Sequence, residues 1–429
     1  MSTTSFEGAV HQNKFLSDGA NEVSAIVEIK SVLGGAVTAP AGKGRVIGFV
    51  VDRSGSMDGE KWIAARQALA AAISTLPEDA EFFVILGNND AHVLVPLQKA
   101  TKANKDSAVS WVKSQTASGG TYFGIWLASA TEIFRQRAQA IKVLVFLTDG
   151  ENDDTDSNTK LPQTLSAANG LYQVECRGVG SKYKPDQLRT IVGALGGSVD
   201  GMQDASALAS DFAAIVEKTK GLAVSNVQLQ LWTPVGAKVK MVKQVAPQIL
   251  DLTPKLTPGS NPRIQRVDTG AWGEEGRDYH VIVELEPTAI GKVGGPEKLC
   301  ARVSLVYNDG TTETEIKLNE GGQVKAEWTD DEKRSAVINP KVANYTGQAE
   351  LAQSIQDGIK ALNDGKEEEA TKALQRAVEL AEKTGNEEAT KRLKKVVDVE
   401  QGTVRLKKNI SEGDKVDLDT KSTKTRRVK

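Results

Sequence analysis

The chain has 429 residues, with 54 Lys and Arg against 56 Asp and Glu, so it is close to neutral. Neutrality argues against bulk nucleic-acid binding, which needs a basic face. The length allows about two to four domains with ample core. No apolar run approaches the roughly 18 residues of a membrane span. The start M-S-T-T-S-F-E-G lacks a basic and then apolar leader, so no signal peptide is expected. Cys176 and Cys300 lie far apart, which predicts no disulfide framework and a cytoplasmic location. His11, His92 and His280 are scattered, so their spacing builds no zinc cluster.

In chain order, Glu22 to Leu33 alternates as one strand, and a turn-rich link follows. Gly42-Lys43 in that link lacks the glycine spacing and hydroxyl of a phosphate loop, so a plain loop is expected. Residues 45–220 alternate strand and helix. Val46 to Val51 is apolar and mostly β-branched, as in a strand buried on both faces. A helix carries Trp62, Leu69, Ile73 and Leu76. Glu81 to Leu86 is a strand, and His92 to Leu97, containing Pro96, is a short edge strand. Helices are expected over Asp106 to Gln115 and along the stripe Phe123, Trp126, Leu127, Ala130 and Phe134. Ile141 to Thr148 is a second fully buried strand. A helix around Thr159 to Asn169, a strand at Tyr172 to Val179, a helix through Leu188 to Leu195, a short strand and a helix through Leu208 to Val216 complete the pattern. Such alternation predicts an α/β unit, a doubly wound parallel sheet.

Residues 221–325 change to alternating strands: Val227 to Trp232, Lys238 to Val245, Tyr279 to Leu285 and Leu299 to Val306. Asn308-Asp309-Gly310 is a hairpin signal. We expect an antiparallel β-sandwich, completed by the strand within residues 1–44, so that the α/β unit is inserted into the β domain. Residues 326–398 carry two alanine-rich helical stripes, broken at Gly365 and Gly385, and a short third helix from Asn386, predicting a small helical bundle. Residues 399–429 have little core material and are expected to form a flexible tail.

The chemistry gathers at strand ends. Asp52, Ser54 and Ser56 follow the first buried strand in D-R-S-G-S, Thr121 follows Gly119-Gly120, and Asp149 ends the second buried strand in T-D-G. In a doubly wound sheet these loops converge on one edge. Hard oxygen donors suit a hard cation, with Mg²⁺ expected and Mn²⁺ or Ca²⁺ as the alternatives. The plainer reading is that the aspartates cap loops and helices. Glu151, Asp153, Asp154 and Asp156 lie just beyond. A solvated acidic loop is the favoured reading, and a rim that repels highly acidic partners the sharper one.

The order D-x-S-G-S, G-G-T, T-D-G resembles the metal-ion-dependent adhesion site (MIDAS) of von Willebrand factor A (VWA) domains, over roughly residues 45–220. The resemblance implies that the serines and threonine bind Mg²⁺ directly and the aspartates mostly through water. It also implies a protein partner whose acidic residue completes the shell. The order of modules is similar to that of COPII coat proteins and of prokaryotic VWA proteins with extra domains, a weaker, architectural likeness.

Thr403, Thr420, Thr423 and Thr425 are candidate phosphorylation sites. Thr425 and Thr403 each have an aliphatic residue at +3, which resembles ligands of forkhead-associated (FHA) domains, and flanking basic residues suit a Ser/Thr kinase. A merely solubilising basic tail is the plainer reading. The expected function is a non-enzymatic, metal-dependent scaffold that binds neither nucleic acid nor membrane. Its rivals are an adaptor of an AAA+ ATPase (MoxR- or chelatase-like), differing only in partner, and a metal-dependent hydrolase. The hydrolase is disfavoured because no His or Lys base is placed by motif.

Overall fold

The structure, a computed structural model, describes residues 4–33, 44–259, 261–308, 312–318, 322–400 and 403–428. Gly42-Lys43, and Asp309 and Gly310 of the hairpin signal, lie outside the described residues. The chain divides into two compact units. One spans residues 36–225 with 409–421, and the other residues 2–35, 226–408 and 422–429.

The first unit is a Rossmann-like α/β fold. Its six-stranded sheet has the order Ala91–Lys99, Glu81–Gly87, Arg45–Asp52, Ile141–Thr148, Gln173–Val179, Gly197–Met202. All neighbours are parallel except the edge strand Ala91–Lys99, which is antiparallel to Glu81–Gly87. That edge strand carries Pro96, as an edge can. Every residue of Arg45–Asp52 and of Ile141–Thr148 is buried, which explains the apolar runs Val46 to Val51 and Val143 to Leu147 within them. Helix Glu60–Thr75 packs beside Lys102–Lys113 and Leu208–Lys220, while Phe123–Arg135 packs on Lys160–Ala168. One core joins Phe49, Val51, Trp62, Leu69, Ile73, Phe82, Phe212 and Ile215.

Chain order sets the position of the site. From Arg45–Asp52 the chain moves outward to one edge, then returns to place Ile141–Thr148 on the other side of the first strand. Ligands of doubly wound sheets bind at the carboxyl ends of the two strands flanking such a reversal. Val51 pairs with Leu147 in register, so Asp52 and Thr148 end their strands at the same level.

The second unit holds two large sheets and a small hairpin. The first has the order Thr4–Gln12, Glu22–Leu33, Gly276–Leu285, Ala237–Ala246, Leu250–Asp251. Glu22–Leu33 pairs antiparallel with Gly276–Leu285 over nine positions from Gly276↔Lys30 to Glu284↔Glu22. Sequence reading saw a single strand in this N-terminal region. Thr4–Gln12 and Phe15–Leu16 are additional strands there. The second sheet centres on Val224–Trp232, Lys298–Asn308 and Gln323–Trp328, with Ile264–Trp272 beyond the first of these. Gln323–Trp328 runs across the boundary expected at residue 325 because Val324, Ala326 and Trp328 alternate into the core. Phe6 and Trp272 join the two sheets edge-to-face, their rings 5.5 Å apart.

The longer helices of this unit are Pro340–Asn363, Glu367–Thr384 and Glu387–Val396. Gly385 ends the second in a left-handed conformation, φ 65°, which glycine adopts without steric cost. Val342 and Tyr345 of the first helix pack against Ile26, Val245 and Ala246 of the first sheet.

The expected flexible tail, residues 399–429, is corrected. Val397–Glu400 and Thr403–Leu406 form an antiparallel hairpin, and Glu412–Lys421 is a helix. Leu418 and Thr420 of that helix are buried in the first unit, where Arg189 Nη1 donates to Asp419 at 2.9 Å. Residues 422–428 dock on the second unit. Ile249 N donates to Thr423 O at 2.8 Å, and Arg426 N donates to Gln348 Oε1 at 2.9 Å. Backbone pairing and a few ion pairs hold this segment where apolar content does not.

Candidate metal centre

Asp52 ends its strand fully buried. Its Oδ1 accepts Ser54 N at 2.7 Å and its Oδ2 accepts Thr148 Oγ1 at 2.6 Å. The first bond turns the chain so that Ser54 and Ser56 come side by side, their hydroxyl oxygens 3.0 Å apart. Ser56 Oγ then donates to Oδ1 of Asp149 at 2.7 Å. The loop is tied down by Gly55 N on Gly119 O at 2.9 Å, Ser118 N on Arg53 O at 2.6 Å and Arg53 N on Gly87 O at 2.8 Å. Gly119 sits at φ +92°, and a β-carbon there would lie 2.5 Å from Asn89 Oδ1, so only glycine suits the position.

Thr121 reaches the same place from the opposite loop. Its carbonyl accepts Asp153 N at 2.9 Å. The helix that follows, Phe123–Arg135, has its first amides fixed by side chains: Phe123 N donates to Asn152 Oδ1 and Gly124 N to Asp156 Oδ2, each at 2.7 Å. The result can be read at Gly150, where the strand-end loop has no side chain. A β-carbon there would lie 3.4 Å from Thr121 Oγ1, 3.5 Å from Ser56 Oγ and 3.8 Å from Asp52 Oδ2. Three oxygens from two loops therefore face one small cradle over a third.

The structure thus brings Asp52, Ser54, Ser56, Thr121 and Asp149 together. The donor set is hydroxyl and carboxylate oxygen, which fits a hard divalent cation. Burial pushes the Asp52 carboxyl up to about 6, with the Asp149 charge adding to the rise against the bonds from Ser54 and Thr148. Two fully buried carboxylates beside each other call for positive charge.

Sequence reading missed four contributors. Thr148 stood inside the quoted T-D-G but was given no role. Asn152 and Asp156 lie in a stretch read as a solvated acidic loop. That reading is corrected for Asp156, which is buried and accepts from Gly124 and Asn152, whereas Glu151 and Asp154 are exposed as expected. Lys61, the second residue of helix Glu60–Thr75, donates through Nζ to Oδ2 of Asp149 and, at 2.9 Å, to Ser56 O. A lysine therefore does stand at the site, as an ammonium already engaged with a carboxylate, and no spacing rule pointed to it.

The tail threonines are elsewhere. Thr420 is fully buried, its hydroxyl 2.8 Å from Tyr183 Oη and donating to Val416 O at 2.7 Å. Thr425 Oγ1 donates to Val245 O at 2.6 Å and Thr425 N to Pro247 O at 3.1 Å. Thr423 offers its carbonyl to Ile249. Thr403 opens the second strand of the hairpin, and its side chain lies outside the described residues. The premise of phosphoacceptors on a mobile segment is therefore corrected for Thr420, Thr423 and Thr425.

Sheet order and this cluster of strand-end oxygens define a Rossmann-type domain of the von Willebrand factor A class. The family model of the von Willebrand factor type A domain matches residues 47–217, and that of the von Willebrand factor type A C-terminal domain matches residues 379–422. A von Willebrand factor type A structure from Catenulispora acidiphila is 38% identical, with a TM-score of 0.93, covering 100% of this chain and 98% of that one. The chain belongs to the VWA family. The ArnB paralog VWA2 from Sulfolobus acidocaldarius, 15% identical with a TM-score of 0.59 over 98% of both chains, shares the fold. An uncharacterized Synechocystis protein is 26% identical over 209 residues, 48% of this chain and 49% of that protein. Mouse inter alpha-trypsin inhibitor heavy chain 4 is 30% identical over 142 residues, 31% of this chain and 15% of that one. The chain thus spans about half the length of the first of these curated relatives and much less of the second. VWA domains often mediate protein–protein interactions, often bind a divalent metal, and in relatives such as these are generally non-enzymatic. Among the described residues, no helix is long and apolar enough to cross a membrane.

Proposed function

We propose that this chain is a non-enzymatic, Mg²⁺-dependent protein–protein interaction module of the cytoplasm. The observation that carries the reading is the convergence of Ser56, Thr121 and Asp52 oxygens over Gly150. Asp52, Ser54, Ser56, Thr121 and Asp149 would hold the ion. The neutral hydroxyls would bind the ion directly and the two carboxylates mostly through water, so the ion's own shell stays poor in negative charge and attracts an acidic side chain of a protein partner. Thr420, Thr423 and Thr425 would enter a kinase and FHA system only after leaving the contacts described above.

The test is co-purification from the native host in Mg²⁺ and in EDTA, with a Ser54→Ala, Ser56→Ala variant as control. The expected result is a partner retained by the wild type in Mg²⁺ alone. A partner held equally in EDTA, or equally by the variant, contradicts the reading.

A further inference from the structure

Asp149 is fully buried and each of its oxygens already has a donor: Ser56 Oγ at 2.7 Å on Oδ1 and Lys61 Nζ on Oδ2. The ammonium is held a second time by Ser56 O at 2.9 Å, so it is fixed between two residues of the oxygen cluster. Its side chain is 31% exposed, which leaves a route to solvent for the charged end. Lys61 belongs to helix Glu60–Thr75, whose neighbouring Trp62 is buried in the core, so the lysine stem starts from a rigid position.

We propose that Lys61 is a built-in cation of this site, which neutralises Asp149 and competes with a divalent ion for it. The proposal rests on the reading of the cluster as a Mg²⁺ site. A dication drawing on Ser56 and Asp149 comes within a few ångströms of the ammonium, and like charges at that distance repel strongly where water is partly excluded. Ion uptake therefore requires Lys61 to leave Asp149 and swing toward solvent. The lysine sets the ion affinity below what the oxygens alone would give. It also keeps two buried carboxylates from standing side by side without a counter-charge. Lys61 is thus a positioning and affinity-setting residue, and contributes no ligand to the ion.

The test uses the full chain and MgCl₂ as the probe. By calorimetry, Lys61→Gln is expected to tighten Mg²⁺ binding by about tenfold, while Lys61→Arg, which keeps the charge, stays close to wild type. In EDTA, Lys61→Gln is expected to melt at a lower temperature than wild type, and Mg²⁺ is expected to raise its melting temperature more. A second measurement needs no variant. Acetylation of Lys61 in the wild type, read by mass spectrometry, is expected to rise several-fold on adding Mg²⁺ as the amine leaves Asp149. Wild type that binds Mg²⁺ with Lys61→Gln binding equally or more weakly, or with Lys61 labelling unchanged, overturns this proposal alone. Wild type that takes up no Mg²⁺ overturns the ion-site reading and this proposal with it.

Discussion

Two sets of carboxylates with little or no exposure are handled in opposite ways in this molecule. In the first unit, Asp52 and Asp149 are partnered chiefly by hydroxyls and backbone, with one lysine between them, and burial pushes Asp52 up to about 6. In the second unit, Glu28 and Asp278 are surrounded by cations. Arg427 Nη2 donates to Asp278 at 2.8 Å and to Glu28 at 3.2 Å, while Lys341 and Lys30 also bond Glu28. Burial alone would raise the Glu28 carboxyl, but Lys341, Lys30 and Arg427 pull it down to about 2. The same residue types give a charge-starved cradle in one place and a neutralised clamp in the other. The first is suited to taking an ion, the second to holding the chain's last residues in place.

Breaking the clamp should have the largest effect on stability. Arg427→Ala leaves Asp278, fully buried, with the Tyr345 hydroxyl as a side-chain donor but without the Arg427 cation, and should destabilise the second unit by about 3 kcal/mol. Urea denaturation checks this, and a change below about 1 kcal/mol would show that the clamp is ornamental.

The next effect is in acid. The Glu28 carboxyl is lowered when folded, so the unfolded chain binds its proton first as pH falls. Its contribution is fully present above about pH 4.5 and is lost as pH falls through about 2. Discounted for nearby solvent, it amounts to about 2 kcal/mol. Comparing Glu28→Gln with wild type by chemical denaturation at pH 6 and at low pH isolates it. The expected difference shrinks toward acid, and a constant difference would contradict the assignment.

At the cradle, effects on folding should be smaller and effects on ion uptake larger. Asn152→Ala removes the acceptor of Phe123 N and should cost about 1 kcal/mol, with weaker Mg²⁺ binding because Thr121 loses its fixed place. Gly150→Ala should change stability least, since a methyl there meets only ordinary contacts. It would nevertheless fill the space the three oxygens face, and Mg²⁺ binding should be lost. A Gly150→Ala protein that melts like wild type and still binds Mg²⁺ would move the ion site elsewhere.

What could be read in the sequence follows from the kind of interaction involved. Val46 to Val51 and Val143 to Leu147 announce themselves because strands buried on both faces are apolar along nearly their whole length. Asp52 and Asp149 then stand out as the first charges after them. The tail was opaque for the opposite reason. Helix Glu412–Lys421 buries only Leu418 and Thr420, so it carries no amphipathic stripe. The pairing of Arg427 with Asp278 spans 149 residues and leaves no local pattern. Lys61 was hidden because a lysine in the first turn of a helix looks like any solvated charge until the fold sets it against Asp149.

The central claim is that strand-end oxygens of the first unit form an ion site. Calorimetric titration of MgCl₂ into wild type and into the Ser54→Ala, Ser56→Ala variant tests it most directly. The account predicts a saturable exchange in the wild type that is abolished in the variant, with both proteins melting within a few degrees of each other in EDTA. Equal Mg²⁺ binding by the two proteins would contradict it.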